Sequence, residues 1–206
     1  MIGLIGRKLG MDHVFLADGK LVPVTLVEAG PCPITQVKTN ENDGYNAIQL
    51  GFGKMKRMNK PMAGRLKKAN TAAVATLMEV RVDNPAPFKL GGRLDVSMFK
   101  EGELVKVVGY TKGRGFAGGV KRWGWAGGPA THGSCFHRRG GSIGQHTYPG
   151  RVWKNTKMPG RYGNERVSIK NLKIVKVDKE KNLVMIRGAI PGHNNGFVLI
   201  TKQDGN

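Results

Sequence analysis

The stretch HVFLADGKLVPVTLVEA, residues 13–29, consists of two β-rich runs joined by a tight-turn signal. Asp18 and Gly19 lie between the runs, and an Asp-Gly pair between such runs is typical of a β-hairpin. Pro23 has no backbone N–H to donate, so we expect an edge or a bulge in the second strand. The stretch predicts antiparallel β structure near the start of the chain.

Similar short runs recur along the sequence at intervals of roughly 8 to 12 residues. They read ITQVKT, YNAIQLGF, ELVKVVGY (103–110), NLKIVKV, NLVMIRGAI and FVLITK. The turn-forming segments NENDG and DKEK each separate two neighbouring runs. This spacing favours a β-barrel or a β-sandwich over alternating β-α-β units.

The charge of the chain indicates its class of partner. Its 206 residues include 34 Lys or Arg and 14 Asp or Glu, a formal net charge of +20. Such an excess is typical of proteins that bind a polyanion, with nucleic acid favoured and an anionic membrane surface second.

No apolar run approaches the roughly 18 residues of a membrane span. Arg7 and Lys8 interrupt the apolar start too early for a signal peptide. The two cysteines, Cys32 and Cys135, cannot form a disulfide framework, so we expect a soluble intracellular protein.

The segment from Tyr110 to Arg166 differs from the β-rich sequence on either side. It contains 11 Lys or Arg against one acid, all three tryptophans and 14 of the 31 glycines. Its branched aliphatic residues are only Val120, Ile143 and Val152. Ordering a chain costs roughly 1 to 2 kcal/mol of backbone entropy per residue, which so little apolar surface cannot offset. The segment is therefore either a flexible linker or a region that packs on another molecule.

Nucleic-acid binding accounts for this composition. Cations neutralise phosphates, glycines allow the backbone to approach a sugar-phosphate chain, and aromatic rings stack on unpaired bases. The stretches KRWGWAGGP and YPGRVWK combine all three. The alternative for Trp123 and Trp125 is that at least one folds back on the β domain. Neither long amphipathic helices nor a zinc ligand set is present, so irregular folded RNA is favoured over a DNA groove.

A second basic segment, GKMKRMNKPMAGRLKKANTAAVATLMEVRV (53–82), is interpreted as an insert in the β domain. Seven cations lie within 15 residues that contain no acid. The Ala-rich sequence after Lys68 predicts a short helix. Such a run is either a solvated surface or a contact for RNA or DNA.

Two motifs suggest enzymes. GRGFAG (113–118) matches the dinucleotide-binding pattern, but GVKRWGWAGGP cannot form the long helix that must follow, and the first acid downstream is Glu165. In THGSCFH, the side chains of His132, Cys135 and His137 resemble metal ligands, although structural zinc needs four. Contacts of these histidines with phosphates and bases are favoured. The alternative is a metal-dependent nucleic-acid enzyme, which metal analysis of the purified protein would reveal.

Five segments in colinear order carry a family resemblance. They are MIGLIGRKLGM, DGYNAIQLGF, KGRGFAGGVKRWGWAGGPATHGS, HRRGGSIGQHTYPGRVWKNTKMPGRYGNERVSIKNLKIV and NLVMIRGAIPG. From Met1 to about Ile200 the chain closely resembles the ribosomal protein L3 family (uL3) of the bacterial large subunit. One departure is Trp123-Gly124-Trp125, where the family usually has Trp-Asn-Phe.

The resemblance implies a mainly β fold. It consists of a translation-protein-type β-barrel with a small inserted basic α+β subdomain and a long extended loop rich in Gly, Arg and Trp. On this pattern the barrel takes residues 1–48, 94–112 and 165–206, the insert takes 49–93, and the loop takes 113–164.

The resemblance also implies a non-catalytic structural constituent of the large subunit in the cytoplasmic ribosome. Family members bind 23S ribosomal RNA near its 3′ end, act early in assembly and touch proteins L14 and L19. Their loop tip lies close to the peptidyl transferase centre. No cofactor, metal, membrane or small-molecule substrate is implied. A free RNA-binding chaperone would use the same residues and remains an alternative.

The candidate RNA-binding residues follow from both arguments. We expect the loop tip near Gln145 to Pro149, flanked by Arg151 and Lys154. The insert contributes Lys54, Lys56, Arg57, Lys60, Arg65, Lys67 and Lys68. The loop and its base contribute Lys112, Arg114, Lys121, Arg122, Trp123, Trp125, His132, His137, Arg138, Arg139, Ser142, Gln145, His146, Thr147, Tyr148, Arg151, Trp153, Lys154, Lys157 and Arg161.

Overall fold

The computed structural model describes residues 2–16 and 18–203, so Met1, Ala17 and 204–206 of the predicted barrel lie outside the described residues. In chain order the elements are β1 (Gly3–Phe15), β2 (Leu21–Ala29), β3 (Cys32–Lys38), α1 (Asn40–Asp43), β4 (Ala47–Phe52), α2 (Lys60–Lys68), β5 (Thr76–Arg81), β6 (Arg93–Leu94), a 3-10 turn (Val96–Met98), β7 (Leu104–Tyr110), β8 (Phe116–Ala117), α3 (Gly119–Trp123), β9 (Gly160–Arg161), β10 (Arg166–Asp178), β11 (Leu183–Arg187) and β12 (Phe197–Lys202). The predicted mainly β class is confirmed. None of the helices in the described ranges could cross a membrane.

Six strands form a closed barrel in the order β1-β12-β7-β10-β11-β2, and each neighbouring pair is antiparallel. Closure satisfies the backbone groups that an open sheet would leave at its edges. Branched aliphatic side chains fill the core, and Val107, Ile174, Ile186 and Ile200 are fully buried. The alternating sequence of these strands therefore corresponds to inward and outward positions.

The predicted hairpin joins β1 to β2. Val14 pairs with Val22 and Phe15 with Leu21 across the turn that contains Asp18 and Gly19. Pro23 lies beyond the last pair between β2 and β11, which is Val24 with Arg187. β2 is not an edge strand, because it has a neighbour on each side; Pro23 lies at the end of the β2–β11 ladder, where its carbonyl accepts from the Gly188 N–H at 2.9 Å and its missing N–H breaks no ladder bond.

A second sheet, with the order β5-β4-β3-β6, changes the predicted division of the chain. Residues 32–48 were expected in the barrel, but β3 and β4 pair with each other and with strands of the insert. The reason is that β4 is buried at every position and has a hydrogen-bonded strand on both sides. The barrel and this sheet share one apolar core, in which the rings of Phe52 and Phe197 meet edge to face at 6.2 Å.

The helix of the insert lies earlier than predicted. The Ala-rich sequence after Lys68 is not helical; instead α2 covers Lys60–Lys68, with Pro61 in its first turn and buried Leu66 facing the protein. Proline is favoured at that position because its fixed φ suits a helix start. After the helix, Asn70 has a left-handed φ of 49°, and the chain then enters β5.

A polar cluster joins β3, β5 and the bend before β4. The Lys38 ammonium lies 2.8 Å from a Glu79 carboxylate oxygen, and Lys38 also donates to the Tyr45 hydroxyl at 2.6 Å. Tyr45 in turn donates to Glu79 at 2.9 Å. The hydrogen bond from Lys38 lowers the pKa of Glu79, and the same bond raises the pKa of Lys38. Elsewhere in the core, burial raises the pKa of the Cys32 thiol to about 12.

The chain divides into two compact units. The barrel and the four-stranded sheet belong to one, which runs to Thr111 and resumes at Arg166. Residues 112–165 form the other, and we call them the loop unit.

Candidate nucleic-acid interface

The loop unit is closed at its base by main-chain pairing. Phe116 pairs with Arg161 and Ala117 with Gly160. Next to this pair, the N–H of Arg114 donates to the carbonyl of Tyr162, and the N–H of Tyr162 donates to the carbonyl of Gly115, both at 2.9 Å. The Arg114 guanidinium lies 5.6 Å from the Tyr162 ring centroid. Tyr162 was not among the predicted contacts, although its position beside Arg161 was a usable signal.

One main-chain carbonyl connects the two sides of the loop unit. The Met158 carbonyl accepts from the Arg122 guanidinium at 2.9 Å and from the Trp123 indole N–H at 2.8 Å. Two cations flank the same indole ring. The guanidinium carbon of Arg122 lies 5.0 Å from the ring centroid, and the ammonium nitrogen of Lys157 lies 5.9 Å from it. Trp123 is still 42% exposed, so its ring remains accessible to a stacking partner.

Trp125 occupies a slot between glycines. A Cβ atom on Gly119 would overlap the Trp125 ring, and one on Gly140 would lie 2.7 Å from it. Between Trp123 and Trp125, Gly124 ends α3 in the left-handed region, with a φ of 70°. Asparagine also tolerates this conformation, so Gly124 suits the backbone here as the asparagine of the usual Trp-Asn-Phe motif would. The slot was missed in the sequence because glycine has no side chain to indicate contact.

The segments around Gly128 and His137 approach each other through main-chain atoms. Gly128 donates its N–H to the His137 carbonyl at 3.1 Å. A Cβ on Gly127 or Gly128 would overlap the carbonyl of His137 or Phe136. The glycines thus allow close contact without an apolar core.

The predicted tip, Gln145 to Pro149, lies in a largely exposed stretch of the loop unit, and only Pro149 within the tip is partly exposed. Every residue from 141 to 148 is exposed, and Tyr148 is 83% exposed. Beyond it, Trp153 is 55% exposed, with the Arg151 guanidinium 5.5 Å from its ring centroid. Short-range bonds shape the backbone here, such as Ser142 Oγ to the Gly144 carbonyl at 2.7 Å. None of the residues 112–165, all of which are described, belongs to the apolar core.

The structure does not assemble a metal site from His132, Cys135 and His137. Within residues 2–16 and 18–203, no three His, Cys, Asp or Glu side chains converge as metal ligands would. His137 instead donates from Nδ1 to the Pro129 carbonyl at 3.1 Å. His132, with a left-handed φ of 59°, and Cys135 are exposed.

The cations of the insert belong to the other unit. Lys60, Arg65, Lys67 and Lys68 lie on α2, and Lys54, Lys56 and Arg57 precede it. All seven residues are exposed. Arg65 partly turns inward, because its Nη2 lies 3.4 Å from the Gln49 amide oxygen. The other six form an open basic surface.

The remaining predicted cations of the loop unit are also at its surface. They are Lys112, Lys121, Arg138, Arg139, Lys154, Lys157 and Arg161, and all seven are exposed. Gln145, His146 and Thr147 are exposed at the tip. The structure therefore defines a basic β protein whose most cationic region displays aromatic rings on a glycine-rich frame. This arrangement is typical of structural proteins that associate with nucleic acid.

Comparisons with known proteins agree with that class. The profile of the ribosomal protein L3 family matches residues 92–182. The large ribosomal subunit protein uL3 of Thermotoga petrophila is 54% identical over 197 residues, covering 96% of this chain and 95% of that protein. The uL3 proteins of Brachyspira pilosicoli and Kosmotoga olearia are 52% and 50% identical, covering 98% and 97% of this chain and 94% and 96% of theirs. The chain belongs to the ribosomal protein L3 family. It is a structural, non-enzymatic protein of the large ribosomal subunit and takes part in translation.

Proposed function

We propose that the loop unit is an RNA-binding extension that becomes ordered against 23S ribosomal RNA near its 3′ end. The observation that carries this proposal is the contrast between the two units. One buries an aliphatic core, whereas the other has only Ala117 among its buried hydrophobic residues and displays cations beside indole rings. Ribosomal RNA would supply the burial and the countercharge that this unit lacks.

Each aromatic site combines a ring with a cation. Arg122 and Lys157 flank Trp123, and Arg151 flanks Trp153. An unstacked base can lie on such a ring while its phosphate meets the cation. The tip from Gln145 to Pro149 reaches the surroundings of the peptidyl transferase centre in this proposal and supports them without taking part in chemistry.

The first unit has a separate role in the proposal. Its barrel is of the translation-protein type and positions the insert, whose cations on α2 and before it contact RNA helices through phosphates. Binding early in assembly would then organise RNA around both units. Proteins L14 and L19 are the proposed protein neighbours.

Site-specific crosslinking tests the proposal. A photoreactive group is introduced singly at Trp123, His146 and Trp153, and crosslinked nucleotides are identified in purified large subunits. All three positions should crosslink to 23S RNA. A probe replacing Phe99, which is 3% exposed, is the matched control and should yield no RNA product. Absence of RNA products from the three loop positions would contradict the proposal.

Deleting residues 142–159 separates binding from folding. The variant should keep a folded barrel because none of the deleted residues belongs to the core cluster. Its RNA binding should weaken and its incorporation into subunits should fall. A normal circular-dichroism melting curve together with unchanged RNA affinity would show that the loop does not bind RNA.

A further inference from the structure

The loop unit contains a pocket beside the Trp125 slot. Its volume is about 560 Å³, and all of its lining residues belong to the loop unit. Apolar walls come from three separate parts of the segment, at Trp125, Phe136 and Ile143. A mostly apolar pocket of roughly 300 to 1,000 Å³ is typical of sites that hold one small ligand group. We call it the Phe136 pocket.

The apolar walls of the Phe136 pocket stay accessible. Phe136 is 41% exposed and Ile143 is 54% exposed, although the segment from Tyr110 to Arg166 has few aliphatic residues. A Cβ atom on Gly128 would lie 2.7 Å from the Phe136 ring, so this ring rests against the backbone. Large apolar side chains that a fold gathers and leaves accessible mark a binding surface.

The charge of the pocket indicates its occupant. Arg139 and Lys157 line the pocket and are exposed. Glu165, the one acid between Tyr110 and Arg166, is not among the lining residues, all of which are described. An apolar side chain of another protein would use the walls but not the cations. A nucleotide would use both, because its base covers the walls while its phosphates meet the cations.

A hydroxyl group in the pocket can recognise the edge of a base. The Thr156 hydroxyl lines the pocket and donates to the Trp153 carbonyl at 2.7 Å. Because its hydrogen is engaged in this bond, the oxygen is presented to the pocket as an acceptor. An N–H group on the edge of a base is the complementary donor, and unpaired bases offer that edge to proteins.

We infer that the Phe136 pocket holds one base of 23S RNA that is turned out of its stack. The base lies against Phe136 and Ile143, and the adjoining phosphates meet Arg139 and Lys157. This inference rests on the proposed binding of the loop unit to 23S RNA and assigns a single-nucleotide site within it. Neither Phe136 nor Ile143 is among the RNA contacts predicted from the sequence.

Crosslinking from the pocket in purified large subunits identifies its occupant. The probe is Phe136→p-azidophenylalanine in the full chain. We expect one predominant crosslinked nucleotide of 23S RNA, at a position that is unpaired. A conjugate with another protein that resists ribonuclease would overturn the inference, and so would products spread evenly along the RNA.

A double-mutant cycle tests whether the base and the Phe136 ring contact each other. In a 23S fragment that contains the crosslinked nucleotide, that nucleotide is made abasic. Phe136→Ala and the abasic change should each lower RNA affinity about tenfold. Together they should lower it no further than either alone, because both remove the same contact. Phe136→Tyr keeps the ring and should bind within threefold of the unmodified chain.

Phe116→Ala is the matched control, because this ring is 82% exposed in the same unit and does not line the pocket. RNA affinity should stay within twofold. Fully additive losses in the cycle, or an equal loss for Phe116→Ala and Phe136→Ala, would contradict the pocket assignment. RNA crosslinks from Trp123, His146 and Trp153 without any from position 136 would sink this inference alone, whereas the absence of all four would also sink the proposed function.

Discussion

The indole ring of Trp125 lies against Gly119 so closely that a Cβ atom on Gly119 would overlap it. The ring is held by the loop unit itself, and not by a large apolar core. Such contact fixes the direction of α3 and of the cations on it, Lys121 and Arg122. The geometry of the proposed RNA surface therefore depends on a glycine that is itself buried.

Replacing Gly119 with alanine should disrupt this slot. Overpacking of a fitted site costs about 1 to 3 kcal/mol, so RNA affinity should fall about tenfold. The melting temperature of the barrel should stay unchanged, because the slot contains none of its core residues. Filter binding and thermal melting measure the two effects. Gly118→Ala is the control: a Cβ there meets nothing within 4 Å, and its φ is −68°. Equal losses for both variants would contradict the role of the slot.

Two isoleucines should differ sharply in their contribution to the free energy of unfolding. Ile174 is fully buried in the barrel, whereas Ile143 in the loop unit is 54% exposed. Ile174→Ala should cost about 2 to 5 kcal/mol, and Ile143→Ala less than about 0.5 kcal/mol. Urea denaturation followed by circular dichroism gives both values. A comparable cost at Ile143 would mean that the loop unit shares the cooperative core.

The Lys38–Glu79 ion pair should make stability depend on pH. The pKa of Glu79 is lowered mainly by its hydrogen bond from Lys38, from an ordinary value of 4.5. The carboxylate therefore stabilises the fold above that value, and this contribution is lost as pH falls through the lowered pKa. Glu79→Gln should lower the melting temperature at pH 7 and have little effect in strong acid. Glu180→Gln, at an exposed turn after β10, is the control. An equal effect of Glu79→Gln at both pH values would exclude the ion pair as its cause.

RNA affinity should depend steeply on salt. The segment from Tyr110 to Arg166 has 11 Lys or Arg. If about ten of these meet phosphates, the logarithm of the binding constant should fall against log salt with a slope of roughly −7 to −9. Titrations of a 23S RNA fragment at several salt concentrations measure the slope. A slope near −2 would show that most of these cations are merely solvated.

The strands could be predicted well because the sequence signals for them are local. Alternating aliphatics identified the strands around Val107 and Ile186, and Asp18-Gly19 identified the hairpin. The shortage of branched aliphatic residues identified the segment that contributes no residue to the apolar core. All of these signals lie within a few residues of the structure they predict.

Neither the pairing partners of the strands nor the close tertiary contacts could be predicted from such local signals. β3 and β4 have strand-like sequences, but nothing in them shows that they pair with the insert and not the barrel. The alanines after Lys68 favour a helix by propensity, yet Pro61 starts the helix earlier and Asn70 follows its end. The Trp125 slot depends on two glycines, which carry no side-chain signal for a tertiary contact.

Limited trypsin digestion with and without RNA tests the central claim most directly. In the free protein, cleavage should come first after Lys121, Arg138, Arg151, Lys154 or Lys157, since the loop unit lacks a core of its own. Lys173 and Arg187, on paired strands β10 and β11, should resist. Adding the 23S fragment should protect the loop sites, and adding a tRNA of similar length should not. Resistance of residues 113–164 in the free protein, or cleavage there at the same rate with the 23S fragment bound, would contradict an interface that is ordered by ribosomal RNA.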